Sequence, residues 1–109
     1  MSEFATPRIN SAALGQYEKH TIRVVGKVKE IPDSTHAVLE ASDSGIVNIN
    51  ALPMQVESLR NVTYAEIIGE VVDPVTIRYQ SHSDLGSNID LKLVDEVIQQ
   101  CMRFMGRIF

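Results

Sequence analysis

Cysteine is nearly absent: Cys101 stands alone in 109 residues. One thiol forms no intramolecular disulfide and supplies no cysteine metal set. Its helical neighbours Ile98 and Met102 are apolar, so a buried, inert thiol in a reducing compartment is expected. Tryptophan is missing, and the six aromatic residues are Phe4, Tyr17, Tyr64, Tyr79, Phe104 and Phe109. Three of them lie near a terminus, which leaves little surface on which bases could stack. There is no excess of basic charge. Ten Lys and Arg stand against 14 Asp and Glu, giving a net charge of -4. That excludes a strongly basic nucleic-acid binder, though not a local basic patch. No run approaches 18 apolar residues, so no membrane span is expected. Residues 1–7 carry no basic segment leading into an apolar one, so no signal peptide is expected.

The marks of catalysis are missing as well. The chain has no P-loop, no G-x-G-x-x-G and no G-x-S-x-G. His20, His36 and His82 have no second His or Cys at metal-ligand spacing and read as solvated surface residues. Glu66 with Glu70, and Asp95 with Glu96, have the spacing of solvated charges. No enzyme, metal, cofactor or small-molecule substrate is expected.

Hydrophobic residues make up 44% of the chain, an ordinary value for a folded domain. A single domain over 1–109 is expected, with a lead and short helix (1–20), a barrel (21–80) and a C-terminal helix (88–107). In the lead, Ser11 is placed to cap one or two helical turns and Gly15 to end them. Residues 21–31 alternate: Ile22, Val24 and Val28 share one parity, Arg23, Lys27 and Lys29 the other, as in a half-buried strand. Gly26 inside it marks a bulge or a barrel corner. Further strands are expected at 35–41, 46–52, 62–72 and 75–80. Gly45 is free to take φ > 0 in the 42–45 hairpin. Residues 53–61 read as a loop or short helical turn, and 81–87 as a polar loop. A helix follows near 89–106, with Ser87 and Asp90 in the N-cap pattern and Gly106 at its end. Five short strands bent at Gly26 and Gly69, then a helix, predict an all-β protein with a terminal helix: a five-stranded OB-fold Greek-key barrel plus a C-terminal α-helix.

Three segments in this order resemble the family of the smallest subunits of replication protein A, the eukaryotic heterotrimer that binds single-stranded DNA. They are Pro7-Arg8-Ile9-Asn10-Ser11 running into Val24-Val25-Gly26-Lys27-Val28, then Ala65-Glu66-Ile67-Ile68-Gly69-Glu70-Val71, then the closing Asp90-Leu91-x-Leu93-Val94-x-Glu96-Val97. The resemblance covers nearly the whole chain, although the Asp43–Gly45 connection is shorter than relatives can have. It implies a nuclear assembly subunit whose C-terminal helix joins helices of the middle and large subunits in a three-helix bundle. The complex would protect single-stranded DNA in replication, repair and recombination. A related build is the small OB subunit of the telomeric single-strand capping complex, and a third reading is a free-standing single-strand binder.

The terminal helix carries the candidate subunit interface. Leu91, Val94, Ile98, Cys101, Met105 and Ile108 are spaced 3, 4, 3, 4, 3, the seam of a helix that packs on helices. Leu93, Val97, Met102 and Phe104 widen it, and Lys92, Asp95, Glu96, Gln99 and Arg103 mark the solvent face. The interface expected is Leu91, Val94, Val97, Ile98, Cys101, Met102, Met105 and Ile108. A helix this long, ~30 Å at 1.5 Å per residue, exceeds what a small barrel end can cover. Packing on its own barrel or in a homodimer stays open. Weak contact with single-stranded DNA is conceivable at Arg23, Lys27, Lys29, Arg78 and Tyr79, but Glu30, Glu40, Glu66 and Glu70 on nearby strands oppose it. DNA is expected to bind mainly through the partners.

Overall fold

The computed structural model describes residues 6–108, with side chains to Arg103. Among these residues the order is β1 (Arg8–Ile9), a 3-10 helix (Ser11–Tyr17), β2 (Thr21–Asp33), β3 (His36–Ala41), β4 (Ile46–Asn50), α1 (Pro53–Glu57), β5 (Tyr64–Asp73), β6 (Thr76–Gly86) and α2 (Leu91–Ile108). Strands pair in the order β2-β3-β4-β6-β5, and β5 pairs back onto β2. This closes a five-stranded barrel, the OB architecture, and closure leaves its strands without free edges. All pairs are antiparallel except β4–β6. β1 adds two parallel residues to β2.

The alternation of β2 does what its pattern predicts. Ile22 and Val24 are fully buried, and Lys27 and Lys29 are exposed. Ile9 and Leu14 from the lead are 0% exposed and join the same core, each contributing about 1.5–3 kcal/mol of burial. Gly26 is a corner: it faces Ala41 on β3 and Ala65 on β5, so β2 serves both ladders there. A Cβ at Gly26 would lie 2.4 Å from the Glu40 carbonyl oxygen and 2.8 Å from Leu39 Cγ. Gly69 sits beside a register shift in the β5–β6 ladder, where a Cβ would lie 2.5 Å from the Arg78 carbonyl oxygen.

Four local expectations change. The polar stretch 81–87 is not a loop: β6 runs on to Gly86, with Ser81, His82, Ser83 and Asp84 opposite Ile68, Ile67, Glu66 and Ala65. Backbone pairing sets that extension, and its polar side chains carry no apolar alternation to betray it. The 3-10 helix does not stop at Gly15 or rely on Ser11 as cap. Asp43 from the β3–β4 hairpin accepts from the N–H groups of Ser11 (3.3 Å) and Ala12 (3.0 Å) and from Ser11 Oγ (2.8 Å). The left-handed residue of that hairpin is Ser44, at φ 71°, not Gly45. Helix α2 is capped by Asp90 itself, which accepts from Lys92 N (3.1 Å) and Leu93 N (3.3 Å), and it continues past Gly106 to Ile108.

Candidate subunit interface

Helix α2 lies on the outside of the barrel, and its contact is built from residues 4, 3 and 4 apart: Leu91, Asp95, Ile98 and Met102. That spacing keeps them on one side of a helix with 3.6 residues per turn. Ile98 is 1% exposed, and Met102 packs half-buried against the core. The receiving surface includes Val25, which shares the outward parity of Arg23 and Lys27 yet is 5% exposed. A groove of about 370 Å³ remains between helix and barrel, lined by Val25, Leu85, Leu93, Val94, Val97 and Ile98, with the Arg8–Glu66 ion pair beside it.

Asp95 sits in the middle of the docked stripe and is only 7% exposed. Its Oδ1 accepts from Ser42 Oγ (2.8 Å) and from Asn10 Nδ2 (3.2 Å), and its Oδ2 accepts from Gln99 Nε2 (2.6 Å). One carboxylate thus joins the helix to the lead and to the β3–β4 hairpin.

The neighbouring apolar stripe is largely exposed. Leu93 is 58% exposed, Val97 is 54% exposed, and Cys101 is exposed as well. Val94 lies half-buried between the two stripes. The expected seam of Leu91, Val94, Ile98 and Cys101 is therefore divided. Ile98, and in part Leu91 and Met102, turn toward the chain's own barrel, while Leu93 and Val97 stand at the open mouth of the groove, each more than half exposed, and Cys101 is exposed. The side chains of Met105 and Ile108 lie outside the described residues. Two expectations are corrected. Cys101 is not buried in this chain, because it falls on the outward stripe. Asp95 is not on the solvent face, because it is one turn before Ile98 on the docked side. Asn10 and Ser42 carried no sequence signal as its partners, being 85 and 53 residues away. Val25 did carry one: an apolar residue on the polar parity of a strand marks a surface that something covers.

The five basic and aromatic candidates do not form one patch. Arg23 is half-buried and its Nε donates to the Thr6 carbonyl (3.2 Å). Lys27 and Lys29 lie four and six residues further along β2, about 14 and 20 Å away at ~3.4 Å per residue. Arg78 is ion-paired with Glu70 across the β5–β6 ladder. Tyr79 is half-buried, its hydroxyl 2.6 Å from His82 Nδ1. His20 meets the ring of Tyr17, and His36 pairs with Asp33, so the three histidines are in three places. Among the described residues no three His, Cys, Asp or Glu side chains cluster as metal ligands do.

A closed OB barrel with a terminal helix, docked on one stripe and largely exposed and apolar on the next, defines the class of small OB-barrel proteins with a C-terminal helix. The particular family follows from the sequence: residues 1–107 match the model of the family Replication factor A protein 3, and the chain belongs to that family. The fold is similar to a chain in the structure of U. maydis Replication protein A bound to ssDNA, at 32% identity over 92% of each chain and a TM-score of 0.83. The telomere capping protein Ten1 from Schizosaccharomyces pombe shares the fold at 14% identity, over 90% of this chain and 98% of that one, with a TM-score of 0.66. A chain of yeast RPA bound to ssDNA does so at 13% identity, over 93% and 95%, with a TM-score of 0.61. No curated protein sequence matches this chain.

Proposed function

We propose that this chain is the non-enzymatic assembly subunit of a replication protein A heterotrimer, held to the middle and large subunits through α2 in a three-helix bundle. The observation that carries this is the largely exposed stripe of Leu93, Val97 and Cys101, continuous with half-buried Val94. Burying a Val or Leu fully is worth about 1.5–3 kcal/mol, so covering this stripe supplies a driving force for association. By their spacing in sequence, Met105 and Ile108 extend the same interface. The barrel offers DNA little in comparison: Arg8 and Arg78 are neutralised by Glu66 and Glu70, and Tyr79 is engaged with His82. Single-stranded DNA is therefore bound mainly through the partners, in the nucleus, during replication, repair and recombination. The telomeric-subunit reading rests on shared fold alone.

Val97→Asp tests the proposal in the co-expressed heterotrimer. Val97 is more than half exposed in the chain, so the variant folds as before. In a closed bundle the new carboxylate would be desolvated without a partner, a cost of several kcal/mol. Recovery of the other two subunits with this chain should fall at least tenfold. Stoichiometric co-purification of the variant would mean that this stripe is not the interface.

A further inference from the structure

The two apolar stripes of α2 pose a problem that apolar packing alone does not solve. Leu91, Ile98 and Met102 form one stripe, and Leu93, Val97 and Cys101 another, about 120° around the axis at 3.6 residues per turn. Hydrophobic burial is non-directional. Either stripe could lie on the barrel, and rolling the helix would hide the face that the proposed assembly needs. Asp95 breaks this degeneracy. It belongs to the docked stripe and is buried, and among the described residues no basic side chain pairs with it. Its charge is accommodated by Ser42 Oγ and Asn10 Nδ2 from the barrel side. Those donors are available in one rotation of the helix. After a roll, the Ser42 and Asn10 side chains would lose their acceptor, and Asn10 Oδ1 is already buried with no partner among the described residues. A buried polar contact that specifies one arrangement among competing apolar ones is a known use of such groups.

We infer that Asp95 is a positioning residue: its contacts with Asn10 and Ser42 set the rotation of α2 on the barrel and so select which apolar stripe faces outward. The selection concerns this chain alone. Its consequence for partner capture rests on the proposed function above.

Cys101, the chain's one cysteine, gives a native reporter. A nitroxide there and a second on Lys29→Cys, an exposed position of β2, measure the rotation in the full chain diluted into unlabelled protein. A roll of about 120° would move the Cys101 label by about 9–10 Å, given a helix radius with side chains of 5–6 Å. The chain with native Asp95 should give one narrow distance. Asp95→Asn should keep it, because an amide oxygen still accepts from Ser42 and Asn10 and the exposed Gln99 amide can turn to match. Asp95→Leu should give a second or broadened distance, with amide protection in β5 and β6 retained. Three results would overturn the inference. They are an unchanged narrow distance in Asp95→Leu, equal broadening in Asp95→Asn, or loss of β5–β6 protection in Asp95→Leu, which would make the residue one of general stability. Val97→Asp separates the two claims: it should keep the narrow distance and lose the partners. If it keeps both, the interface reading fails, and the distances of the Asp95 variants still decide the positioning role.

Discussion

Gly26→Ala adds one methyl group at the place where the barrel turns, and its effect can be worked from the contacts. The new Cβ would lie 2.4 Å from the Glu40 carbonyl oxygen, 2.8 Å from Leu39 Cγ and 3.0 Å from Ala41 Cα. Two of these three atoms are backbone, held in the β2–β3 ladder, and the opposite side of Gly26 is held by Ala65 in the β2–β5 ladder. Neither strand can retreat without lengthening hydrogen bonds on one side. Overpacking of this kind costs about 3 kcal/mol, the upper part of the usual range. For a chain of this size that lowers the melting temperature by about 12 °C. Gly15→Ala is the matched control: its Cβ would meet the Pro74 ring at ordinary distances, 3.6 Å to Cβ and 3.7 Å to Cγ, and its melting temperature should stay within about 4 °C. Thermal unfolding of the full chains, followed by far-ultraviolet circular dichroism, compares them. A Gly26→Ala chain melting within about 3 °C of the unsubstituted one would refute the corner argument, and Gly26 would be an ordinary strand residue.

Other outcomes follow from the same contacts. Asp43→Ala removes the acceptor for Ser11 and Ala12 and should cost about 1 kcal/mol; an unchanged melting curve would show that the cap contributes nothing. Replacing Arg23, Lys27 and Lys29 together with Ala should lower the affinity of the proposed heterotrimer for short single-stranded DNA by less than tenfold, about 1.4 kcal/mol. A larger loss in a binding titration would put this barrel in the path of the DNA. The Asp33 carboxyl is held below its ordinary range, chiefly by the Thr35 N–H and next by His36. Its folded pKa is depressed, so its contribution is present above the unfolded pKa and lost as pH falls through the folded one. Exchange of the Thr35 amide should therefore quicken, relative to neighbouring amides, as pH falls through that window. Asp33→Asn should abolish the effect, and a pH-independent ratio in the unsubstituted chain would count against it.

The barrel was legible because its signals are local. The alternation of Ile22 and Val24 against Arg23 and Lys27 fixes which side of β2 is inward, and a misregistered strand would bury lysines. Glycines at 26 and 69 announced close approaches within an otherwise β-branched pattern. The β6 extension was not legible, since Ser81 to Asp84 are held by main-chain bonds to β5 that any side chain would permit. The same holds for Ser44, whose left-handed backbone is imposed by the hairpin rather than by its residue type.

The terminal helix separates the two kinds of information most clearly. Its sequence by itself determined that it is helical, long and apolar over more than one stripe, because the 3- and 4-residue spacings need no knowledge of neighbours. Which stripe would be spent on the barrel was decided only by tertiary structure. Leu91, Ile98 and Met102 differ little in hydrophobicity from Leu93, Val97 and Cys101, so apolar content could not rank them. The decision lies with Asp95, and its meaning depends on two donors, Asn10 and Ser42, that are distant in sequence and meet it only once the barrel has closed. A buried carboxylate and a solvated one look alike in a sequence; the fold distinguishes them by what it places within hydrogen-bonding distance.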